Sequence, residues 1–300
     1  MLDLSALTSL QAVATHGSVS AAADVLGFTP SAVSQQIKRL ERQTGVDLLE
    51  RVGRGVMLTE PGRRLVADGD RLLRDLEAVE AALHQDAGTV TGHLRVAAFS
   101  TAMRGLVGPA IRHVLDAHPD LRVTLTEHEP WDVVDLVAAG QLELGLVHQW
   151  GDVSIEMPEH LERTDVAADL ADVIVHRSHP LADRDVVTPR DLVEEGWIAT
   201  PEGTICRQWL SRMYDGTGRR PLIAHVSMEF ESHLALVEAR LGIALVPRLG
   251  RADLGSELVA IPARDPVPTR AVVAVHRRTM GSSPAVRAVL EALSDAAAMQ

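Results

Sequence analysis

Three glycines cut the first 45 residues into short helical pieces, and this punctuation constrains the fold more than any other feature of the chain. Residues 4–16 place Leu4, Leu7 and Val13 at helical spacing and stop at Gly17. Ser18 then offers its hydroxyl to the free amides of a new first turn, which predicts a second helix to Leu26. Gly27 closes it in the left-handed conformation that glycine adopts without strain. Thr29 caps a third helix, and Pro30 takes its first position, where a missing N–H costs nothing. Gly45 ends that helix after Thr44. Two helices joined by a short glycine turn make a helix-turn-helix.

The third helix has two unlike faces. Val33, Ile37 and Leu40 recur at steps of four and three and form a stripe to be buried. Ser31, Ser34, Gln35 and Lys38 share another side, with Arg39 beside them. Short hydrogen-bonding groups on a rigid helix can enter the major groove and meet base edges, with Lys38 placed for phosphate or guanine. The same face would also serve as an ordinary solvated surface. The next stretch, DLLERVGRGVMLTEPG, tips the balance toward DNA. Arg51 and Arg54 flank a turn containing Gly53 and Gly55, and Val56-Met57-Leu58 can return as a strand. Such a wing would set guanidiniums on the phosphates, fixing register and giving salt-dependent affinity. The charge pattern agrees modestly. The chain as a whole carries −12, yet basic groups outnumber acidic ones in residues 1–64.

These two blocks, AAADVLGFTPSAVSQQIKRLE and LLERVGRGVMLTEPG, resemble the winged helix-turn-helix of LysR-type transcriptional regulators over residues 4–62, and the remaining layout is similar to that family across almost the full length. Leu49 stands where the family usually has phenylalanine, and Gln35 where arginine is also common, which leaves the target sequence open. The resemblance implies an α/β protein with an all-α-rich head: an N-terminal winged helix-turn-helix, a long linker helix, and a two-lobed effector domain like periplasmic binding proteins. The expected divisions are 1–60 for DNA binding, 61–90 for the linker and dimerisation helix, and 91–300 for the effector domain. Lobe I would comprise 92–163 and 268–300, and lobe II 164–267.

Between residues 59 and 86 a long polar helix is expected, with Leu65, Leu72, Leu76, Val79 and Leu83 at heptad-like steps interrupted at Gly69. The seam could pack on a neighbouring domain or pair two chains. The resemblance implies pairing, hence a homodimer, further association to a homotetramer, and RNA polymerase as a further partner. Beyond residue 91, candidate strands at 94–99, 123–126, 142–147, 173–175, 197–199, 243–246 and 271–275 alternate with helical runs. That alternation argues for α/β lobes with mainly parallel sheets. The chain should cross between lobes near 161–166 and return near 266–270.

In open α/β sheets, ligands bind beyond the carboxyl ends of strands. Ser100 and Thr101 follow the first strand directly; their hydroxyls and amides could hold a carboxylate, or merely cap a helix. The resemblance places effector contacts there. Thr200, Pro201, Gly203 and Thr204 stand between a strand and a helix of the second lobe and offer a second wall. His148 follows the third strand. By resemblance, Glu229 and Phe230 fall where a loop approaches the cleft, and Glu229 could meet an amine or cap the helix near Ser232. Hydroxyls on one wall and an acid on the other suggest a carboxylate or amino-acid-like effector.

Other function classes find little support. No G-x-S-x-G elbow, P-loop or H-E-x-x-H motif occurs, so no catalytic residue, cofactor or metal ligand is expected. His176 and His179 lack a carboxylate at metal-binding spacing, and the resemblance implies a structural place in a turn. The lone Cys206 cannot form an internal disulfide, which suits a reducing cytoplasm; it could be a thiol sensor or an inert buried group. No apolar run is long enough for a membrane span and no secretory signal is evident. The alternative reading is a small-molecule-binding module of periplasmic-binding-protein type without a transcriptional role.

Overall fold

The computed structural model describes residues 2–53, 55–87 and 89–299, with no side chain described at 74, 77, 78 or 80–87. The chain forms two units, residues 1–87 and 88–300.

The first unit holds α1 (Leu4–His16), α2 (Val19–Leu26), α3 (Pro30–Thr44), β1 (Leu49–Val52), β2 (Gly55–Leu58) and α4 (Glu60–Ala87). Its caps follow from the residue chemistry. Ser18 Oγ accepts from the Ala21 amide, Thr29 Oγ1 accepts from the Ala32 amide, and Gly17, Gly27 and Gly45 are all left-handed. Val33, Ile37 and Leu40 sink with Leu10, Val13 and Ala22 into one core. β1 and β2 pair antiparallel, Leu49 opposite Leu58 and Val52 opposite Gly55, and make the wing. Glu41 anchors it: its carboxylate accepts from the amides of Leu48 and Leu49.

The start of α4 belongs to this core. Leu65 and Val66 pack on it, whereas Leu72, Leu76 and Val79 stay exposed. The expected seam is therefore split between a packed and an open part, and Leu83 lies outside the described side chains. Gly69 has a physical reason: a Cβ there would come within 2.6 Å of the Leu7 side chain, so only glycine lets α1 and α4 approach this closely.

The second unit runs β3 (Gly92–Ala98), α5 (Ser100–Ala102), a π-helical turn at Met103–Val107, α6 (Gly108–Ala117), β4 (Leu121–Glu127), α7 (Pro130–Ala138), β5 (Leu144–Trp150) and β6 (Leu161–His176). It continues with β7 (Gly196–Ala199), α8 (Ile205–Met213), β8 (Leu222–Val226), α9 (Phe230–Glu238), β9 (Ile243–Pro247), β10 (Leu258–Pro262), β11 (Thr269–Arg277) and α10 (Pro284–Ala298). The strand order is β4-β3-β5-β11-β6-β9-β7-β8, with β10 also on β6. β3, β4 and β5 are parallel, as are β7, β8 and β9. The pairs made by β6 and β11 are antiparallel, so the sheet is mixed rather than mainly parallel. The cause is that β6 and β11 carry the chain between the lobes.

β6 is one strand of 16 residues serving both lobes. It pairs with β11 up to Leu170 opposite Thr269, then with β9 from Ala171 opposite Pro247. The expected crossing at 161–166 thus falls inside β6, and the change of partner comes at Leu170/Ala171. The return crossing lies where β11 begins. Among the described residues lobe I holds an apolar cluster with Val96, Leu106, Leu146 and Val289 and another with Val133, Val137 and Val273, and lobe II holds one with Trp197, Trp209 and Tyr214 and another with Ile198, Phe230 and Val246.

Candidate nucleic-acid interface and effector cleft

On α3 the burial of Val33, Ile37 and Leu40 turns the opposite face to solvent. Ser31, Gln35, Lys38 and Arg39 are exposed and Ser34 is half-buried. Gln35, Lys38 and Arg39 line an open groove together with Arg42, Val46 and Pro61. The two adjacent glutamines divide their labour. Gln36 accepts a hydrogen bond from Ser9 Oγ at 2.5 Å and ties α3 to α1, while Gln35 has no hydrogen-bond partner among the described residues. Lys38 has no ion-pair partner among the described residues; Arg39 does, with Asp3 at 3.1 Å. Arg51 is exposed on β1, and Arg54 lies outside the described residues. A helix that presents unpaired donors and acceptors beside a wing bearing arginine has the shape and chemistry to read a duplex groove.

In the second unit, strand ends from both lobes converge on one small cavity. Its wall includes Ser100, Thr101, His148, Thr200, Thr204 and Phe230, residues spread over 131 positions of sequence, and leaves out Pro201 and Glu229. The volume is about 20 Å³, room for about one water. Ser100 and Thr101 open α5, but Phe99 holds the cap position and no side chain caps the helix. The Thr101 hydroxyl instead accepts from Arg270 Nη2 at 3.0 Å. Across the cavity, Thr200 and Thr204 share a hydrogen bond of 2.7 Å, and Thr204 caps α8 by accepting from the Arg207 amide. His148 lies within β5 rather than after it, and its ring meets Phe99 edge-on at 4.6 Å. Burial first, then Arg270, hold its pKa well below the ordinary histidine value, so the imidazole is neutral at pH 7. Glu229 precedes α9 without capping it, so the expected cap bond is absent.

Several wall residues escaped the sequence reading, among them Phe99, Glu129, Trp131, Met228 and, above all, Arg270. Arg270 is 1% exposed, paired to Asp169 at 2.6 Å, and set over the rings of Phe99 and Trp150. The available signal was a pair of charges, Asp169 and Arg270, at the edges of apolar strand segments. Glu129 sits just before α7; burial, then the charge of Glu229, hold its carboxyl above the usual range.

Burial pushes the Cys206 thiol up to about 12, leaving too little thiolate at neutral pH to react. His176 is bound to Ser178, and His179 to Glu195 at 3.2 Å, so both hold the turn together. No group of three His, Cys, Asp or Glu among the described residues could hold a metal.

Comparison with known proteins decides the family. Residues 87–298 match the LysR substrate binding domain, and residues 4–63 match the bacterial regulatory helix-turn-helix protein, lysR family. The chain belongs to the LysR family. This LysR-type regulator is 31% identical over 250 residues to the probable RuBisCO transcriptional regulator of Chlorokybus atmophyticus, covering 81% of this chain and 78% of that one. It is 28% identical over 306 residues to the RuBisCO operon transcriptional regulator of Allochromatium vinosum, covering 99% and 98%. Among solved structures, full-length OxyR from Pseudomonas aeruginosa superposes with a TM-score of 0.74 at 18% identity, covering 98% of this chain and 95% of that one. HinK from the same organism gives 0.63 at 19%, covering 99% of each. At these identities the two structures speak for the fold alone. The LysR-type regulator thus joins a DNA-binding helix-turn-helix head to an effector-binding domain, and nothing favours the alternative of a binding module without a transcriptional role. Among the described residues no helix is long and apolar enough to cross a membrane.

Proposed function

We propose that Ser31, Ser34, Gln35 and Lys38, with Arg39 at the margin, read base edges in the major groove, while Arg51 and Arg54 hold phosphates. The observation that carries this reading is the exposure of Gln35 and Lys38, with no side-chain partner among the described residues, on a helix whose Val33, Ile37 and Leu40 are buried. The open stripe of Leu72, Leu76 and Val79 supports pairing of two chains through α4, which would present two recognition helices to a two-fold operator. A homotetramer, RNA polymerase as a partner, a cytoplasmic location and the lack of catalysis follow from the family reading.

The effector, a carboxylate or amino-acid-like molecule, binds between the lobes against Ser100, Thr101, His148, Thr200, Thr204 and Phe230, with Pro201 and Glu229 at the rim. Binding shifts the lobes and thereby the paired heads, and a differential of about 1–3 kcal/mol between the two arrangements is the usual scale of such coupling. The test is a mobility shift of the full chain on promoter DNA at two salt concentrations. Salt-sensitive binding is expected; binding that ignores salt, or none, overturns the reading.

A further inference from the structure

Arg270 carries more hydrogen-bonding capacity than the protein uses. Its Nε and Nη2 donate to Asp169, and Nη2 also donates to Thr101. Its Nη1 is buried and has no hydrogen-bond partner among the described residues, and the same holds for Nδ1 of His148 in the same wall. A buried donor left unmade costs the full desolvation of the group, and a guanidinium is the costliest kind. Native proteins tolerate this where a ligand completes the set. The group that completes a guanidinium best is an oxyanion.

The same wall holds an opposite need. Glu129 has no ion-pair partner among the described residues, nor has Glu229, and the two carboxylates sit close enough for one to disfavour ionisation of the other. They stand at the starts of α7 in lobe I and α9 in lobe II, and neither is used as a side-chain cap. Trp131 adds an aromatic wall beside Glu129, favourable to a cation. A simple anion would satisfy Arg270 and aggravate Glu129; a simple amine would do the reverse.

We propose that the effector is a small zwitterion of amino-acid type whose carboxylate meets Arg270 Nη1 and whose ammonium meets Glu129 on the side of Glu229. This rests on the reading that the cleft takes the effector. A neighbouring cavity of about 20 Å³ shares Thr200, Cys206 and Phe230 with the first and is otherwise lined mostly by apolar groups, Ile198, Leu210 and Leu245 with Trp150 and His233, so the ligand's own side chain is short and largely apolar. With room for about one water in the present cavity, entry requires the lobes to part. The ligand then draws them together, because Arg270 and Glu129 of lobe I hold its two ends while Glu229 of lobe II faces the ammonium. Asp169 passes the event on: one carboxylate oxygen holds Arg270 and the other accepts from the Leu249 amide at 3.0 Å, in lobe II.

The experiment is calorimetry and thermal shift on the full chain with the twenty proteinogenic amino acids, and for each hit its des-amino carboxylate and its decarboxylated amine. Amino acids with short side chains should bind, with each truncated relative at least about tenfold weaker, a difference of about 1.4 kcal/mol. Glu129→Gln should weaken the amino acid at least about tenfold while changing the des-amino carboxylate by less than about twofold. Arg270→Lys keeps the charge beside Asp169 but loses the fork, and should weaken both. If a carboxylate alone binds as well as its amino acid, or Glu129→Gln changes nothing, the zwitterion is wrong and the cleft reading stands. If no probe of any class binds, both fall.

Discussion

The recognition helix holds its polar groups open to solvent, whereas the cleft of the second unit holds its polar groups against one another. On α3, Gln35 and Lys38 reach outward from a helix fixed by a local apolar stripe. In the cleft, Arg270, Asp169 and Thr101 bond to each other with the lobes shut to about one water. A DNA reader meets a large, charged and already shaped partner, so a rigid, prepaid geometry suits it. A receptor for a small molecule must change on binding, so its strongest interactions sit where the two lobes meet. The difference teaches where mutations will register: function without stability on α3, and stability together with function in the cleft.

The largest effect should separate the two regions most cleanly. Arg270→Ala leaves the buried Asp169 without its ion-pair partner, which should cost about 3–5 kcal/mol in urea unfolding. Lys38→Ala, on a solvated surface, should stay within about 0.5 kcal/mol. Equal losses would break the comparison. Next in size, Gln35→Ala should reduce discrimination between operator variants by about 1–3 kcal/mol at one base position, read from competition binding. Arg51→Ala should weaken binding to every sequence alike and lower the salt slope by about 1. Should these two variants behave identically, the division between base reader and phosphate holder is wrong.

The smallest predicted effect tests the burial of His148. Its folded pKa is depressed, so below 6.5 the unfolded chain takes up a proton that the folded chain refuses. This contribution to stability is complete above 6.5 and is lost as pH falls toward the folded value. Replacing His148 by Gln should make Tm fall less steeply between pH 6.5 and about pH 5. His233, also depressed by burial, adds to the slope in the same direction.

The head was legible because its signals are local. Thr29-Pro30 and Gly45 mark the ends of α3, and a three-and-four spacing separates its faces without knowledge of any other segment. What spacing could not resolve was which of two adjacent glutamines would be claimed by Ser9, a tertiary fact. In the second unit, only Val173–Val175 of β6 showed as strand, because the preceding half, LERTDVAADL, is polar and partly exposed. That half is a strand for its pairing with β11, not for its hydrophobicity. β8 (Leu222–Val226) and β10 (Leu258–Pro262) are short apolar runs that the sequence reading passed over; the first lies mostly exposed at the sheet edge. Ser100, Thr101, Thr200 and Thr204 were legible as residues that follow strands, whereas His148 lies inside its strand and Phe230 was placed by resemblance. Arg270 was not legible, since an arginine at the head of a strand ordinarily reads as surface; its burial depends on Asp169, 101 positions away.

The unbroken run of β6 through both lobes has a consequence for building chimaeras. Because the lobes share a strand instead of a pair of loops, a transplanted sensor module must be cut within hydrogen-bonded ladder, at Leu170/Ala171 and again just ahead of Thr269. A graft placed there exchanges the Glu229 and Thr200 side of the receptor while the recipient keeps Asp169 and Arg270. Splices at the apparent loops on either side would instead sever the strand's two halves from their partners.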